Sequence, residues 1–166
     1  MRKTAAFLAV SALLAAGGTS RAAPAAPAAE KPRTLGVGVV LGAPIGGTAK
    51  LWLNENDAID AGAGVVGDRA AFWGDLLVHD WRLVRQPAKG RLGVYGGLGP
   101  EFRSGDEPNF GLRAIAGLDY RPSGTPYELY VEAGPLFELD GGGGTDGVGG
   151  LGLRVYLDGS PSAAAR

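Results

Sequence analysis

From Tyr127 to Leu139 the chain alternates. The odd positions are Tyr127, Leu129, Val131, Ala133, Pro135, Phe137 and Leu139, all apolar; the even ones are Glu128, Tyr130, Glu132, Gly134, Leu136 and Glu138. Side chains of a strand point to opposite faces with a period of 2, so the segment predicts a strand with one greasy and one largely acidic face. The preceding segment repeats the pattern. Phe110, Leu112, Ala114, Ala116, Leu118 and Tyr120 share one face; Gly111, Arg113, Ile115, Gly117, Asp119 and Arg121 share the other. Charges on an inward face need a paired or wet interior. The pattern predicts an all-β, antiparallel, up-and-down transmembrane β-barrel, lipid-facing outside and polar inside.

Turn signals recur at APIGG, NEND, GDRA, RQPAKG, SGDEPN, PSGT and DGGGGTDG. They divide the chain into eight strands, at about 35–42, 48–54, 57–66, 71–84, 91–103, 109–121, 126–139 and 147–157. Eight is the smallest usual number for a closed membrane barrel, and closure leaves no exposed edge. By parity the lipid face carries Leu35, Val37, Val39 and Leu41 in the first strand. It carries Leu92, Val94, Gly96, Leu98 and Phe102 in the fifth, and Leu151, Leu153, Val155 and Leu157 in the eighth. The fourth strand is ambiguous, because Leu76, Val78, Asp80 and Arg82 alternate with Leu77, His79 and Trp81; a bulge would account for it. Pro100 and Pro135 fall inside strands in matching contexts, Gly-Pro-Glu-Phe and Gly-Pro-Leu-Phe, and predict bulges or strand ends near one rim. Outward aromatics sort into two belts. Phe102, Phe110 and Phe137 belong to one rim, Tyr120 and Tyr127 to the other, as two bilayer interfaces select.

The inward set predicts a structural ion network in the lumen, made of Lys50, Asp60, Glu101, Arg103, Arg113, Asp119, Glu128, Glu132, Glu138 and Arg154. An eight-stranded barrel has room for side chains and little for a pore, so these charges are expected to pair. A narrow ion path is the second reading of the same residues. A soluble periplasmic barrel of lipocalin type, binding a small apolar ligand, is the alternative that inverts the faces.

The start of the chain adds location. Arg2 and Lys3 precede an apolar run from Ala5 to Ala16, and Ser20-Arg21-Ala22 fits a small-x-small cleavage site. Residues 1–22 read as a secretory signal peptide, 23–34 as an Ala/Pro-rich spacer, 35–157 as the barrel and 158–166 as a disordered tail. Of the 16 basic residues, Arg2, Lys3 and Arg21 leave with the signal; the remaining 13 against 17 acids give a net charge of −4. That balance argues against nucleic acid. The chain has no cysteine, so an exported form relies on its sheet and its burial rather than on disulfides. With 30 glycines and no 18-residue apolar run after the signal, a helical membrane protein is not expected.

Motifs of chemistry are sparse. Gly147-Val148-Gly149-Gly150-Leu151-Gly152 matches GxGxxG but enters a period-2 strand where a nucleotide site needs a helix. His79 is the only histidine, and its spacing from Ser104, Asp75 and Asp80 supports no triad. One histidine without cysteine argues against zinc, and the acidic segment 104–109 lacks EF-hand spacing for calcium. No catalytic residue, cofactor or metal is expected.

Several stretches resemble a known family. Leu35–Gly42 (LGVGVVLG), Ala49–Leu53 (AKLWL), Ala58–Asp60 (AID) and Gly117–Tyr120 (GLDY) are similar to the small outer-membrane barrels of the OmpA/OmpX type. They are more similar still to a bacterial family of predicted eight-stranded barrels with no assigned activity. Gly150–Leu157 (GLGLRVYL) looks like a barrel-assembly signal, though it ends in Leu157 and not an aromatic residue. The resemblance implies a fold and an outer-membrane location in a Gram-negative cell envelope. That location brings lipid and the assembly machinery as partners; a monomer is expected, and the strand breaks place short outer loops at about 43–47, 67–70, 104–108 and 140–146. It transfers no catalytic residue.

Overall fold

The computed structural model describes residues 35–105, 108–140 and 143–157. The expected signal peptide, spacer and tail lie outside the described residues. The described chain forms eight strands: β1 (Leu35–Ala43), β2 (Ile45–Trp52), β3 (Asp57–Val66), β4 (Arg69–Asp80), β5 (Arg91–Arg103), β6 (Asn109–Arg121), β7 (Tyr127–Glu138) and β8 (Thr145–Tyr156). Each pairs antiparallel with its sequence neighbours, and β8 returns to β1 from Gly36↔Tyr156 to Ala43↔Gly149, closing the barrel. This is the architecture the alternation predicts.

Three local expectations need correction. The fourth strand is not bulged. Its pairing with β5 keeps one register from Ala71↔Arg103 to Asp80↔Val94, and its exposure alternates cleanly. The ambiguity arose because its inward set, Ala71, Trp73, Asp75, Leu77 and His79, is itself mostly apolar. The strand ends at Asp80, and Trp81–Val84 begin the connection to β5.

The two prolines produce neither bulges nor strand ends. β5 runs to Arg103 and β7 to Glu138 with unchanged register on both sides. Pairing is interrupted only at Gly99–Pro100 facing β4 and at Gly134–Pro135 facing β6. A missing N–H removes one rung, and the glycine before it lets the neighbouring backbone close in. A Cβ on Gly99 would stand 1.8 Å from the Gly74 carbonyl oxygen, and one on Gly134 would stand 1.8 Å from that of Ala114. The third correction is APIGG. Only Pro44 separates β1 from β2, and Gly46 and Gly47 are already strand residues paired with Val40 and Val39.

The interior is organised by large residues lying over glycines on the adjacent strand. Tyr95 faces Gly117, Tyr130 faces Gly152, Trp73 faces Gly62 and Tyr156 faces Gly36 in the strand registers. In each pair the ring fills the space that a Cβ would take, down to 2.1 Å for both Tyr130 over Gly152 and Trp73 over Gly62. Each glycine exposes the sheet so that a flat ring can lie on it, the device known as aromatic rescue. Gly152→Val is expected to displace Tyr130 and cost about 1–3 kcal/mol by overpacking. The check is the urea midpoint of the refolded barrel. Tyr130→Ala with Gly152→Val should cost less than the sum of the two single changes; strict additivity would remove the ring-over-glycine account.

Candidate functional site

Parity sends two chemically different sets of side chains to the two faces. Val37, Val39, Leu41, Leu51, Ile59, Leu76, Val78, Leu98, Leu118, Leu129, Val131, Leu151 and Leu153 are exposed on the outside. Lys50, Asp60, Asp75, His79, Glu101, Arg103, Arg113, Asp119, Glu128, Glu132 and Arg154 are buried inside. This is the reverse of a lipocalin-like barrel, whose apolar residues line the cavity. The interior is the place to look for chemistry.

Its charges fall into two groups. In the first, Glu128 is the hub. It accepts from Lys50 Nζ at 3.2 Å, Arg121 Nε at 3.0 Å, Arg154 Nη1 at 2.8 Å and the Tyr156 hydroxyl at 2.6 Å. Arg154 also donates to Asp60 at 2.8 Å, and the Thr48 hydroxyl donates to the other oxygen of Asp60 at 2.7 Å. Asp119 pairs with Arg121 at 3.1 Å and with Lys50 at 3.6 Å. Three cations, Lys50, Arg121 and Arg154, thus meet three carboxylates, Asp60, Asp119 and Glu128.

In the second group Arg113 serves three acids. It donates to Glu101 at 3.2 Å and Glu132 at 3.0 Å, and its Nε lies 3.2 Å from Asp75. Arg103 joins Glu101 at 2.7 Å to Asp146 at 2.5 Å, and the Tyr95 hydroxyl donates to Glu132 at 2.7 Å. Here three buried carboxylates and the exposed Asp146 face two guanidinium groups.

Nine of the ten network residues read from the sequence lie in these groups. Glu138, the tenth, is half-buried at the end of β7, and no ion pair to it occurs among the described residues. Parity is right there, but the strand is leaving the lumen. Sequence reasoning missed Asp75 and His79, which sit on the ambiguous β4. It also omitted Arg121, although the alternation had put that residue inside, along with Thr48 and Asp146.

The interior is not simply polar. Trp52, Trp81, Tyr95, Tyr156, Leu77, Ile115, Leu136 and Val148 form a buried apolar cluster within it. At the end that holds Leu35 and Tyr156, aromatic rings and cations stack in alternation. Arg91 lies 3.9 Å from the Trp81 ring centre, Arg121 lies 4.8 Å from Trp81 and 4.2 Å from Trp52, and Lys50 lies 4.5 Å from Trp52. Such stacking holds cations in a desolvated space. His79 stands among these rings, 4.4 Å from Trp52 and 5.0 Å from Tyr95.

The histidine is fully employed in structure. Its Nδ1 lies 3.0 Å from the Asn56 carbonyl, which only accepts, so Nδ1 carries the proton. Nε2 therefore accepts from Lys50 Nζ at 2.9 Å. Ser104 lies beyond the other end of β4 from His79, where its hydroxyl receives the Ala70 N–H at 3.1 Å. The residues considered for a triad are thus not brought together. Gly147–Gly152 lie in β8, a strand, without the helix that a nucleotide loop requires. Among the described residues, no group of three His, Cys, Asp or Glu is placed to hold a metal ion.

The outward aromatics are placed by the registers. Phe72 faces Phe102, and Phe102 faces Phe110, in three neighbouring strands. Phe137 stands opposite Leu112 at the same end. Tyr120 and Tyr127 lie at the opposite ends of their strands, close to the chain termini of the barrel. Phe72 was invisible to parity because its strand was ambiguous. All three tryptophans, Trp52, Trp73 and Trp81, point inward.

Neither a family model nor a curated protein sequence matches the chain. Among solved structures, the N-terminal β-barrel domain of OprF from Pseudomonas aeruginosa superposes with a TM-score of 0.52 at 14% identity. The match covers 74% of this chain and 96% of that one. At this identity the likeness concerns the fold alone: the chain has the closed, eight-stranded, up-and-down architecture of the OmpA-type barrels.

Proposed function

We propose that this chain is a bacterial outer-membrane barrel with a structural role in the envelope, neither a pore nor an enzyme. One observation carries the reading: the apolar set is outside and the charged set is inside. Exposed leucine, valine and isoleucine around a closed sheet would aggregate in water and are stabilised by lipid. The rows of Phe72, Phe102, Phe110 and Phe137 at one rim and of Tyr120 and Tyr127 at the other then serve as the two interfacial belts. Closure removes every strand edge, which supports a monomer. The lipids of that membrane and the machinery that assembles barrels into it are the partners this reading requires. The lumen favours rigidity over transport, because its charges hold one another across the interior.

The test is a gel-mobility assay on residues 23–166 refolded in detergent, with and without boiling. The expected result is a faster-moving folded band that boiling abolishes, with no folded species in plain buffer. A folded monomer in plain buffer, indifferent to boiling, would defeat the membrane reading. In planar bilayers the folded protein is expected to give no conductance steps. Sustained steps would replace the structural role by a narrow ion path.

A further inference from the structure

The two ends of the barrel differ in charge. At the end away from the termini, the strand ends and the segments joining them carry, among the described residues, Asp68, Glu138, Asp140 and Asp146 against Arg69 and Arg103. At the terminal end, the β4–β5 connection of residues 81–90 is the longest among the described residues, and it contains no acid. It presents Arg82, Arg85 and Lys89, and Arg91 follows it at the start of β5. All four are exposed. Three acids share this end with the four cations: Asp80 lies 3.7 Å from Arg82, and Asp57 is tied to Asn54 in the β2–β3 turn, which also holds Glu55.

This connection is fastened to the barrel. The Gln86 amide donates to the carbonyls of Trp81 at 2.5 Å and Leu92 at 2.8 Å, and its oxygen accepts the Leu92 N–H at 3.0 Å. Trp81 Nε1 donates to the Glu55 carbonyl at 3.0 Å, and the Tyr120 hydroxyl donates to the Lys89 carbonyl at 2.5 Å. The cations are therefore presented from a held backbone, next to a tyrosine of the terminal-end rim. Within it Leu83 is 69% exposed, the highest value among the large apolar side chains described. Along β4 the outward face changes from Leu76 and Val78 to Asp80 and then Arg82, so the apolar band stops where the basic segment begins.

We propose that this segment is a contact for anionic phospholipid headgroups in the leaflet at the terminal end. Arg82, Arg85 and Lys89 take the phosphates, and Leu83 enters the border of the acyl chains. The inference rests on the membrane reading above. It adds the lipid class and the residues. Charge complementarity selects the partner: cations beside an interfacial aromatic and an exposed leucine match a negatively charged, amphipathic surface. A water-soluble acidic partner would leave Leu83 without a role.

The test uses the chain purified from membranes of an expressing bacterium and placed in vesicles. One set is phosphatidylcholine alone; the other contains added phosphatidylglycerol. Thermal unfolding is followed by the boiling-dependent gel shift. Phosphatidylglycerol is expected to raise the wild-type midpoint by roughly 5 °C, and Arg82→Gln/Arg85→Gln/Lys89→Gln to lose most of that gain while folding normally in phosphatidylcholine. Arg82→Glu/Arg85→Glu/Lys89→Glu should make phosphatidylglycerol destabilising. Asp68→Asn/Asp140→Asn, at the other end, should keep the wild-type response. A triple-glutamine variant with the full response would overturn the proposal, as would inorganic phosphate reproducing the gain in phosphatidylcholine vesicles. Failure of every form to fold in phosphatidylcholine would overturn the membrane reading itself, and is seen before any anionic lipid is added.

Discussion

Val131→Arg is expected to cost the barrel about 2–4 kcal/mol and to remove it from the folded membrane fraction. Val131 is outward on β7, 47% exposed, and it faces Leu118 on one side and Leu151 on the other. It lies four residues from Tyr127 and six from Phe137, between the two aromatic rims. In a bilayer a guanidinium there would have no water and no partner, and the neighbouring side chains are all aliphatic. The cost should depend on depth. Leu129 faces Tyr120 at the terminal-end rim, so Leu129→Arg can extend toward headgroups and should cost closer to 1 kcal/mol. Urea titration of the refolded proteins in vesicles, read by the boiling-dependent band, measures both. Equal stability of wild type and Val131→Arg would mean that this face meets water, and the membrane assignment would fall with it.

That outward face was readable from the chain alone because between the rims it obeys one rule. Each strand has only to keep apolar residues on one parity, and β1, β5, β6, β7 and β8 do so. The interior follows a looser rule. It must be filled and electrically paired, and either an aromatic ring or an ion pair fills it. β4 contributes Trp73, Leu77 and His79 to the lumen, so both of its faces look apolar in one dimension. The information that resolves it lies on other strands: Trp73 covers Gly62 of β3, and Leu77 covers Gly97 of β5. A single sequence shows each glycine but not what lies over it. The same gap hid Asp75, His79 and Phe72, all on this strand.

Glycine and proline misled for a related reason. In APIGG and at Gly-Pro they resemble punctuation, yet here they serve close approach between strands. Gly46 is a strand residue whose missing Cβ leaves room for the Ala63 carbonyl, 2.2 Å from where the Cβ would be. The matched Gly99-Pro100 and Gly134-Pro135 each remove one rung without shifting the register. The β4–β5 connection at the terminal end proved longer than the turn signal RQPAKG suggests, because the fourth strand stops at Asp80 and frees Trp81–Gly90 for it.

Glu128→Leu is expected to destabilise the barrel by about 3–5 kcal/mol, the largest effect of any single interior change. The argument is charge balance inside a space without bulk water. In the first group three cations meet three carboxylates, and Glu128 alone contacts all three cations. Removing it leaves Lys50, Arg121 and Arg154 with Asp60 and Asp119, one positive charge in excess. It also leaves the Tyr156 hydroxyl, which receives the Trp52 N–H at 2.8 Å, without its acceptor. Glu128→Gln keeps the shape and loses the charge, so it should fall between leucine and wild type. The second group makes the opposite prediction. There the buried Asp75, Glu101 and Glu132, with the exposed Asp146 at the mouth, outnumber Arg103 and Arg113, so Asp75→Asn removes a surplus charge and should be neutral or stabilising. Both follow from counting charges in the same lumen, and they differ in sign. Unfolding of the two variants side by side therefore tests the ionic account. If Glu128→Leu and Asp75→Asn cost the same, the loss reflects packing volume, and the pairing of charges is not what sets the stability of the interior.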